Sequence, residues 1–518
     1  MIEALAQLRT SVVSCIRRID RFLRSQEILL VCCALLWIAG ISSLYAALKP
    51  FWLDEYFSLI TQSSGTPAGI WRILRDAPLA LDPPLFHVLT QLLLNIFGKS
   101  EFHARLLPVI AYTLMAGFLY AFVRKYADFY VALLALCMTY VCGSFSYASE
   151  DRPYALVLAT AAMALYFWST AAYAKNARYL PFMGLWFAIA IAVTAHWYGF
   201  LIVVPIAAGQ AARDIEARRL DFRIWILLIA ACLPITLCMP LRHSAAAYRS
   251  MPWQPVTLSD VSYAFILILQ PCITPLVYAG IAVGAFYIIL PSEGSRVAHR
   301  QSWPKPVFVC SLLLAATPVQ GFVAAKLITH LLLPRYVMPG ALGLIILLCI
   351  GVELSAKRWA GLAILVISLY VCPVLLRTAL AFRHANEALS VKRLPVAMDE
   401  QIPIVISNLD MFMQIEDRAP AVVKQRCLYV SDALSISVLN QNTTFLSSQA
   451  LEHWTTLPII NLHSLLARSQ RFYLLAPMSG TVGDWLLDWL VKNRCPVNLQ
   501  GSYDNAPLFL ADASKLSI

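Results

Sequence analysis

Asp54 and Glu55 stand side by side in FWLDEYFSLI (51–60), framed by Phe51, Trp52, Tyr56 and Phe57. Neighbours in regular structure cannot aim both carboxylates the same way, so the two have different work. One, partly desolvated, could take a proton from a hydroxyl; the other could orient a substrate, a metal or a basic partner. The alternative is a helix cap, since acids favour a first helical turn. LDPPLFHVL (81–89) sets Asp82 and His87 around a double proline, with structural, phosphate-binding and acid–base roles all open. In SYASEDRPYAL (146–156), Glu150, Asp151 and Arg152 precede Pro153 and Tyr154. Those acids again suit a helix start, and Arg152 could pair with either. His196 in TAHWYGF (194–200) sits at a break between two short apolar runs, where a packed or interfacial histidine is the alternative. HLLLPRYVMP (330–339) holds Arg335 beside Tyr336, with Lys326 shortly before. A guanidinium there could grip a phosphate bidentately or merely snorkel to the interface.

The elements that must position these residues are apolar. Of 518 residues, 60% are hydrophobic and 13% charged, with a mean hydropathy of +0.68. Soluble domains average about 45–50% apolar and about 25% charged, so the composition is that of a polytopic membrane protein. The net charge of +11 fits basic cytoplasmic loops and anionic lipid rather than nucleic acid, because no basic–aromatic module accompanies it. Eleven runs read as membrane helices: 28–48, 103–123, 128–147, 153–173, 179–195, 198–212, 224–241, 262–290, 306–329, 336–354 and 360–380, the fifth and sixth short and the eighth long with Pro271 and Pro275 inside it. Residues 1–27 read as a basic amphipathic helix on the cytoplasmic face, followed by an uncleaved span. Most cysteines lie in the apolar runs. Cys427 and Cys495 fall in the polar tail, where a disulfide is open if the tail is extracytoplasmic.

Basic residues test this count. With the N-terminus inside, the inner connections hold Arg124, Lys125, Lys175, Arg178, Arg213, Arg218, Arg219, Arg223, Arg296, Arg300, Lys305, Lys357 and Arg358. The short outer ones hold only Arg152, Arg242, Arg249 and Arg335, as the positive-inside rule requires. The expected layout is therefore an inner, multi-pass membrane protein with its C-terminal tail outside. All the ionisable candidates then share the outer face, and a single extracytoplasmic site would explain that. The outer loop 49–102 is too long for a plain connector; 67–76 and 85–98 read as interfacial helices. From 384 onward, strands at 402–408, 427–432, 471–477 and 507–513 alternate with helices at 409–416 and 481–493, predicting a small α/β domain. The expected organisation is 1–27 amphipathic helix, 28–383 transmembrane domain and 384–518 extracytoplasmic α/β domain.

Taken in order, the acidic pair, DPPLFHVLTQLLLNIFGKSEFHARLLPV (82–109), SEDRPYAL and PRYVMP resemble the bacterial membrane glycosyltransferases of the GT-C fold. The closest branch is family 39, the dolichyl-phosphate-mannose-protein mannosyltransferase-like family, which includes relatives that add aminoarabinose to lipid A. The resemblance runs over about 50–380. It implies a polytopic helical GT-C domain, a polyprenyl-phosphate sugar donor, and a lipid, glycan or protein acceptor. It also implies Asp54 as catalytic base with Glu55 beside it, Glu150 and Arg152 in the cavity wall, and Arg335 near the lipid phosphate. Asp82, His87, Asp151, Tyr154, His196, Lys326 and Tyr336 complete the expected substrate-binding set. No cofactor is implied, and a divalent metal is left open. The tail departs from the carbohydrate-binding domain of eukaryotic relatives. The rival class, a transporter or flippase of lipid-linked saccharides, would show an inverted repeat and mid-membrane charges, and the sequence shows neither.

Overall fold

Every run read as a span falls largely on helix in the computed structural model. It describes residues 14, 18–173, 179–244, 256–289, 303–391, 399, 401–435, 442–476, 484–503 and 506–514. Among these, five helices are long and apolar enough to cross a membrane: Glu27–Leu48, Glu101–Arg124, Tyr154–Tyr173, Leu258–Tyr287 and Lys357–Asn386. Two pairs, Phe129–Thr139 with Gly143–Ser149 and Lys305–Ala315 with Thr317–Thr329, bend by 64° and 56° and would bring the number to seven. Pro318 sits at the start of the last segment, where its missing N–H and fixed φ suit a helix restart. Of the amphipathic helix expected at 1–27, residues 18–25 are helical, and most of the remainder lies outside the described residues.

Contacts gather the described residues into two units, one drawn from 1–44, 106–235 and 256–376, the other from 45–105, 236–255 and 377–518. In the first, Tyr154–Tyr173 packs against Leu106–Arg124 and Tyr179–Ala195, while Lys305–Ala315 packs against Val203–Ala217 and Gly340–Ser355. The last contact is backbone-close: a Cβ on Gly343 would stand 2.1 Å from the Ala315 nitrogen. Small residues allow such approach where helices lack a hydrophobic drive to associate. Outward side chains such as Leu36, Ile226, Leu237 and Leu369 are apolar and exposed, a surface that lipid rather than water would cover.

The second unit begins with the loop helices α1 (Leu53–Gln62), α2 (Pro67–Asp76), α3 (Leu85–Phe97) and the short α4 (Glu101–Ala104). Thr66 caps α2 by accepting from the Gly69 N–H at 3.1 Å, and Pro67 opens it, a combination that satisfies the orphan donors of a first turn. The tail forms a six-stranded sheet from β1 (Ile404–Ile406), β2 (Cys427–Val430), β3 (Ile459–Ile460), β4 (Arg471–Leu475), β5 (Val497–Tyr503) and β6 (Ala506–Asp512), ordered β3-β2-β1-β4-β6-β5. Pairs among β1 to β4 are parallel, and β6 runs antiparallel to both β4 and β5. Helices α5 (Leu409–Arg418), α6 (Asn442–Trp454), α7 (Leu462–Arg468) and α8 (Trp485–Lys492) cover it. β3 and β5, absent from the sequence reading, are respectively too short and too polar to register; residues 481–483 of the helix expected at 481–493 lie outside the described residues.

The parallel strands are buried on both faces, and alternate residues serve different cores. Val405, Phe472 and Leu474 face Trp485, Leu486 and Leu490. Ile404, Ile406, Tyr429 and Tyr473 face the other way, into one continuous cluster with Leu409, Phe412 and Met413 of α5 and with Phe51, Tyr56, Phe57, Ile73 and Leu94 of the loop. The loop carrying the acidic pair therefore shares a core with the sheet. Cys427 and Cys495 lie on opposite faces, one in each cluster, and neither is disulfide-bonded.

Truncation of the fully buried Phe412 to alanine should cost about 3–5 kcal/mol. Because the core is shared, limited proteolysis of F412A should open residues 53–97 together with the sheet. Cleavage confined to the tail would show that the loop holds its structure independently.

Candidate active site

Asp54 and Glu55 occupy the first turn of α1, and the structure gives them different surroundings. Glu55 is fully buried and meets the equally buried Arg105 in a bidentate pair: Nε donates to Oε1 at 2.7 Å and Nη2 to Oε2 at 2.6 Å. The remaining donors of Arg105 reach the carbonyls of Ala46 at 3.0 Å, Lys49 at 2.5 Å and Pro50 at 3.1 Å. Its guanidinium also stacks 4.4 Å from the Phe51 ring centroid. All five N–H bonds of the fork are thereby used, the condition under which a buried charge is tolerable. Glu55 in turn accepts a long bond from the Trp52 N–H, 3.4 Å, at the helix start. The helix-cap and basic-partner readings thus meet in Glu55; Asp54, one residue earlier, is half-buried.

The tail also reaches this turn. Asp410, at the start of α5, is held by the Gln414 amide at 3.1 Å. Burial, and then the Asp54 charge, raise its carboxyl above the usual range, opposed by the Leu53 N–H and Gln414. The Tyr56 hydroxyl donates to Asp417 at 3.2 Å, and burial pushes its phenol well above the usual range. Asp82 and His87 belong to the same unit and are buried, His87 edge-on to Phe86 at 5.6 Å. One turn on, the Gln91 amide donates to the Gln62 carbonyl at 3.0 Å, tying α3 to the end of α1.

The other candidates belong to the first unit, where they form an aromatic group. Tyr336 lies 4.9 Å from His196, 5.0 Å from Tyr198 and 6.3 Å from Tyr154; Tyr154 also contacts His196 at 5.5 Å and Tyr147 at 5.1 Å. The cations Arg335 and Arg152 stand 6.0 Å and 5.8 Å from the Tyr336 and Tyr154 rings, within reach of a cation–π attraction. His196 caps the 3-10 turn Trp197–Ile202, its Nδ1 accepting the Tyr198 N–H at 3.1 Å, which leaves Nε2 to carry the ring proton. A Cβ on Gly199 would stand 2.1 Å from the Ala192 carbonyl oxygen, so glycine keeps this break tight. Tyr198 is fixed by Thr329 at 2.6 Å and the Leu331 carbonyl at 2.5 Å. Glu150, Asp151 and Arg152 are all buried beside this group in sequence. Lys326 is exposed, its ammonium 5.7 Å from Phe322 rather than among these rings. Among the described residues no three His, Cys, Asp or Glu side chains gather as a metal site would require.

Comparison with solved structures places the architecture. The apo structure of ArnT from Cupriavidus metallidurans superposes with a TM-score of 0.57 at 13% identity, covering 96% of this chain and 100% of that one. The same protein bound to undecaprenyl phosphate gives 0.57 at 12% identity, over 93% and 97%. The chain has the fold of the family 39-like GT-C glycosyltransferases. The family model for dolichyl-phosphate-mannose-protein mannosyltransferases matches residues 82–241, a stretch that holds Asp82, His87, Arg105, Glu150 to Tyr154 and His196. No curated protein matches by sequence.

Within this GT-C frame, sequence reading missed Arg105, Tyr147 and Tyr198. A lone arginine opening an apolar run was a usable signal for Arg105, because such a charge needs a buried partner. Tyr147 and Tyr198 gave none, since aromatic residues fill apolar helices throughout.

Arg105→Ala should cost about 3–5 kcal/mol by stranding Glu55, read as a fall in the thermal midpoint, whereas a change within about 0.5 kcal/mol would deny that the pair is buried. Asp410→Asn should raise the midpoint at pH 7, with the gain shrinking towards pH 4. The sign follows from the raised carboxyl of Asp410: its ionisation costs native stability as pH rises through the folded value, and Asn removes that cost.

Proposed function

We propose that this protein is an inverting glycosyltransferase that moves a sugar from a polyprenyl-phosphate donor to an acceptor hydroxyl on the extracytoplasmic face, with Asp54 as general base. The Asp54 carboxylate takes the proton of the acceptor hydroxyl as its oxygen attacks the anomeric carbon. The bond from that carbon to the phosphate oxygen breaks, and polyprenyl phosphate departs. Displacement in a single step inverts the anomeric centre. Arg335, with Tyr336 beside it, meets the charge that develops on the leaving phosphate, the role in which a preformed guanidinium contributes most. The rings of Tyr154, His196 and Tyr336 offer a face to the sugar, and Glu150 and Arg152 hold its polar edge.

The observation that carries this reading is the division of the acidic pair. Arg105 takes both oxygens of Glu55, so Glu55 is committed to holding the turn, and the base is assigned to its neighbour Asp54. The family 39-like fold supports the donor class, since ArnT binds undecaprenyl phosphate. The N-terminus inside and the tail outside follow from the distribution of basic residues.

The test uses the full-length protein with an undecaprenyl-phosphate-linked pentose or hexose, following release of undecaprenyl phosphate and the anomeric configuration of the product. Asp54→Asn should lower turnover by about 100-fold or more without loss of folded protein. Wild-type turnover in that variant would remove Asp54 as base. Movement of intact donor across vesicles without transfer would place the protein among transporters.

A further inference from the structure

The tail meets the loop through a second guanidinium. Arg418, the last residue of α5, sends Nη2 to both carboxylate oxygens of Glu101, 2.6 Å from Oε2. Its Nη1 donates to Asn386, whose amide reaches the Leu48 carbonyl at the end of the first span. Arg418 Nε lies 3.4 Å from Asp417, the residue that accepts from Tyr56. Glu101 is the first residue of α4, a single turn capped by Ser100, and the Arg105 N–H closes that turn on the Glu101 carbonyl at 3.3 Å. One turn of helix therefore carries the carboxylate gripped by Arg418 and the guanidinium that grips Glu55. Arg105 meets Glu55 as a two-nitrogen fork, whereas Arg418 spreads its guanidinium, with Nη2 shared between the Glu101 oxygens and Nη1 on Asn386; either arrangement fixes orientation as well as distance.

We propose that Arg418 is a positioning residue for the reaction: the C-terminal domain, through Arg418 and Glu101, sets the turn from which Arg105 holds Glu55 and so aims Asp54. The proposal rests on the reading of Asp54 as base and gives the tail a part in turnover beyond anchoring. A charge that merely held the domain in place could be supplied equally by a lysine at this position or by any other surface pair. A guanidinium that holds Glu101 and Asn386 from two separate nitrogens could not, because an ammonium lacks that planar spread. Arg418 reaches Glu101 directly and Leu48 through Asn386, and its neighbour Asp417 holds Tyr56, so displacement of Arg418 is felt on both sides of Asp54.

Hydrogen exchange and kinetics of the full-length protein test it, with the sugar donor that the wild type consumes. In Arg418→Ala and Arg418→Lys, amides of residues 53–58 should exchange about 10-fold faster while β1 and β2 exchange as in the wild type. The kcat should fall about 10–100-fold with KM for the donor within about twofold. The exchanged pair Glu101→Arg with Arg418→Glu should recover part of both. Faster exchange throughout the sheet with KM and kcat moving together would reduce Arg418 to an anchor and overturn the proposal. So would a lysine variant indistinguishable from wild type, even where the alanine variant fails to fold. Asp54→Asn run in parallel separates the two readings. If it is inactive while Arg418 variants are unchanged, only the relay falls; if it is active, the base reading falls whatever Arg418 does.

Discussion

A buried guanidinium with all its donors committed is the constraint on which the loop depends. Arg105 and Glu55 are both without solvent exposure, and separating two such charges from water costs several kcal/mol per ion before their attraction is counted. The cost is offset only because the partner carboxylate and three backbone carbonyls fill the fork. Those carbonyls, at Ala46, Lys49 and Pro50, belong to the end of the first span and the chain just beyond it. The interaction therefore ties the exit of that span to the first turn of α1 and fixes the residue between them and Glu55. Asp54 inherits its position from its neighbour.

The same unit shows why the tail is more than an appendage. A parallel sheet must bury both faces, and here one face is completed by loop side chains, Phe51, Tyr56, Phe57 and Ile73 among them. A loop of this length would otherwise expose apolar helices on one side and have no core of its own. Sheet and loop stabilise each other, and the polar contacts of Tyr56, Asp417, Glu101 and Arg418 lie along their junction. In the first unit the order is different: the rings of Tyr154, His196, Tyr198 and Tyr336 pack together, with Arg152 and Arg335 against them.

Much of this was legible in the sequence because periodicity and composition carry it. The apolar runs became helices, and the short apolar runs IVI and CLYV became β1 and β2, since buried strands and spans are selected by the same hydrophobic term. The chemistry-bearing stretches were legible as types. Their partnerships were not. Asp54 and Glu55 looked alike in sequence, and only the arrival of Arg105, 50 positions away, distinguished them. Arg418 gave no signal at all, because a basic residue at the end of an amphipathic helix is ordinarily a solvated charge favoured by the helix dipole. The bend at Gly143 depended on a close backbone approach of Leu267 that pattern alone does not encode.

Chemical rescue separates the two carboxylates. If Glu55 holds the turn and Asp54 takes the proton, then Asp54→Gly, which leaves a space where the carboxylate stood, should regain turnover when formate is added. Glu55→Gly should not, because its loss lies in the placement of the helix. Rescue of the Glu55 variant, or a formate-insensitive Asp54 variant that remains folded and binds donor, would contradict this division of labour between the two carboxylates.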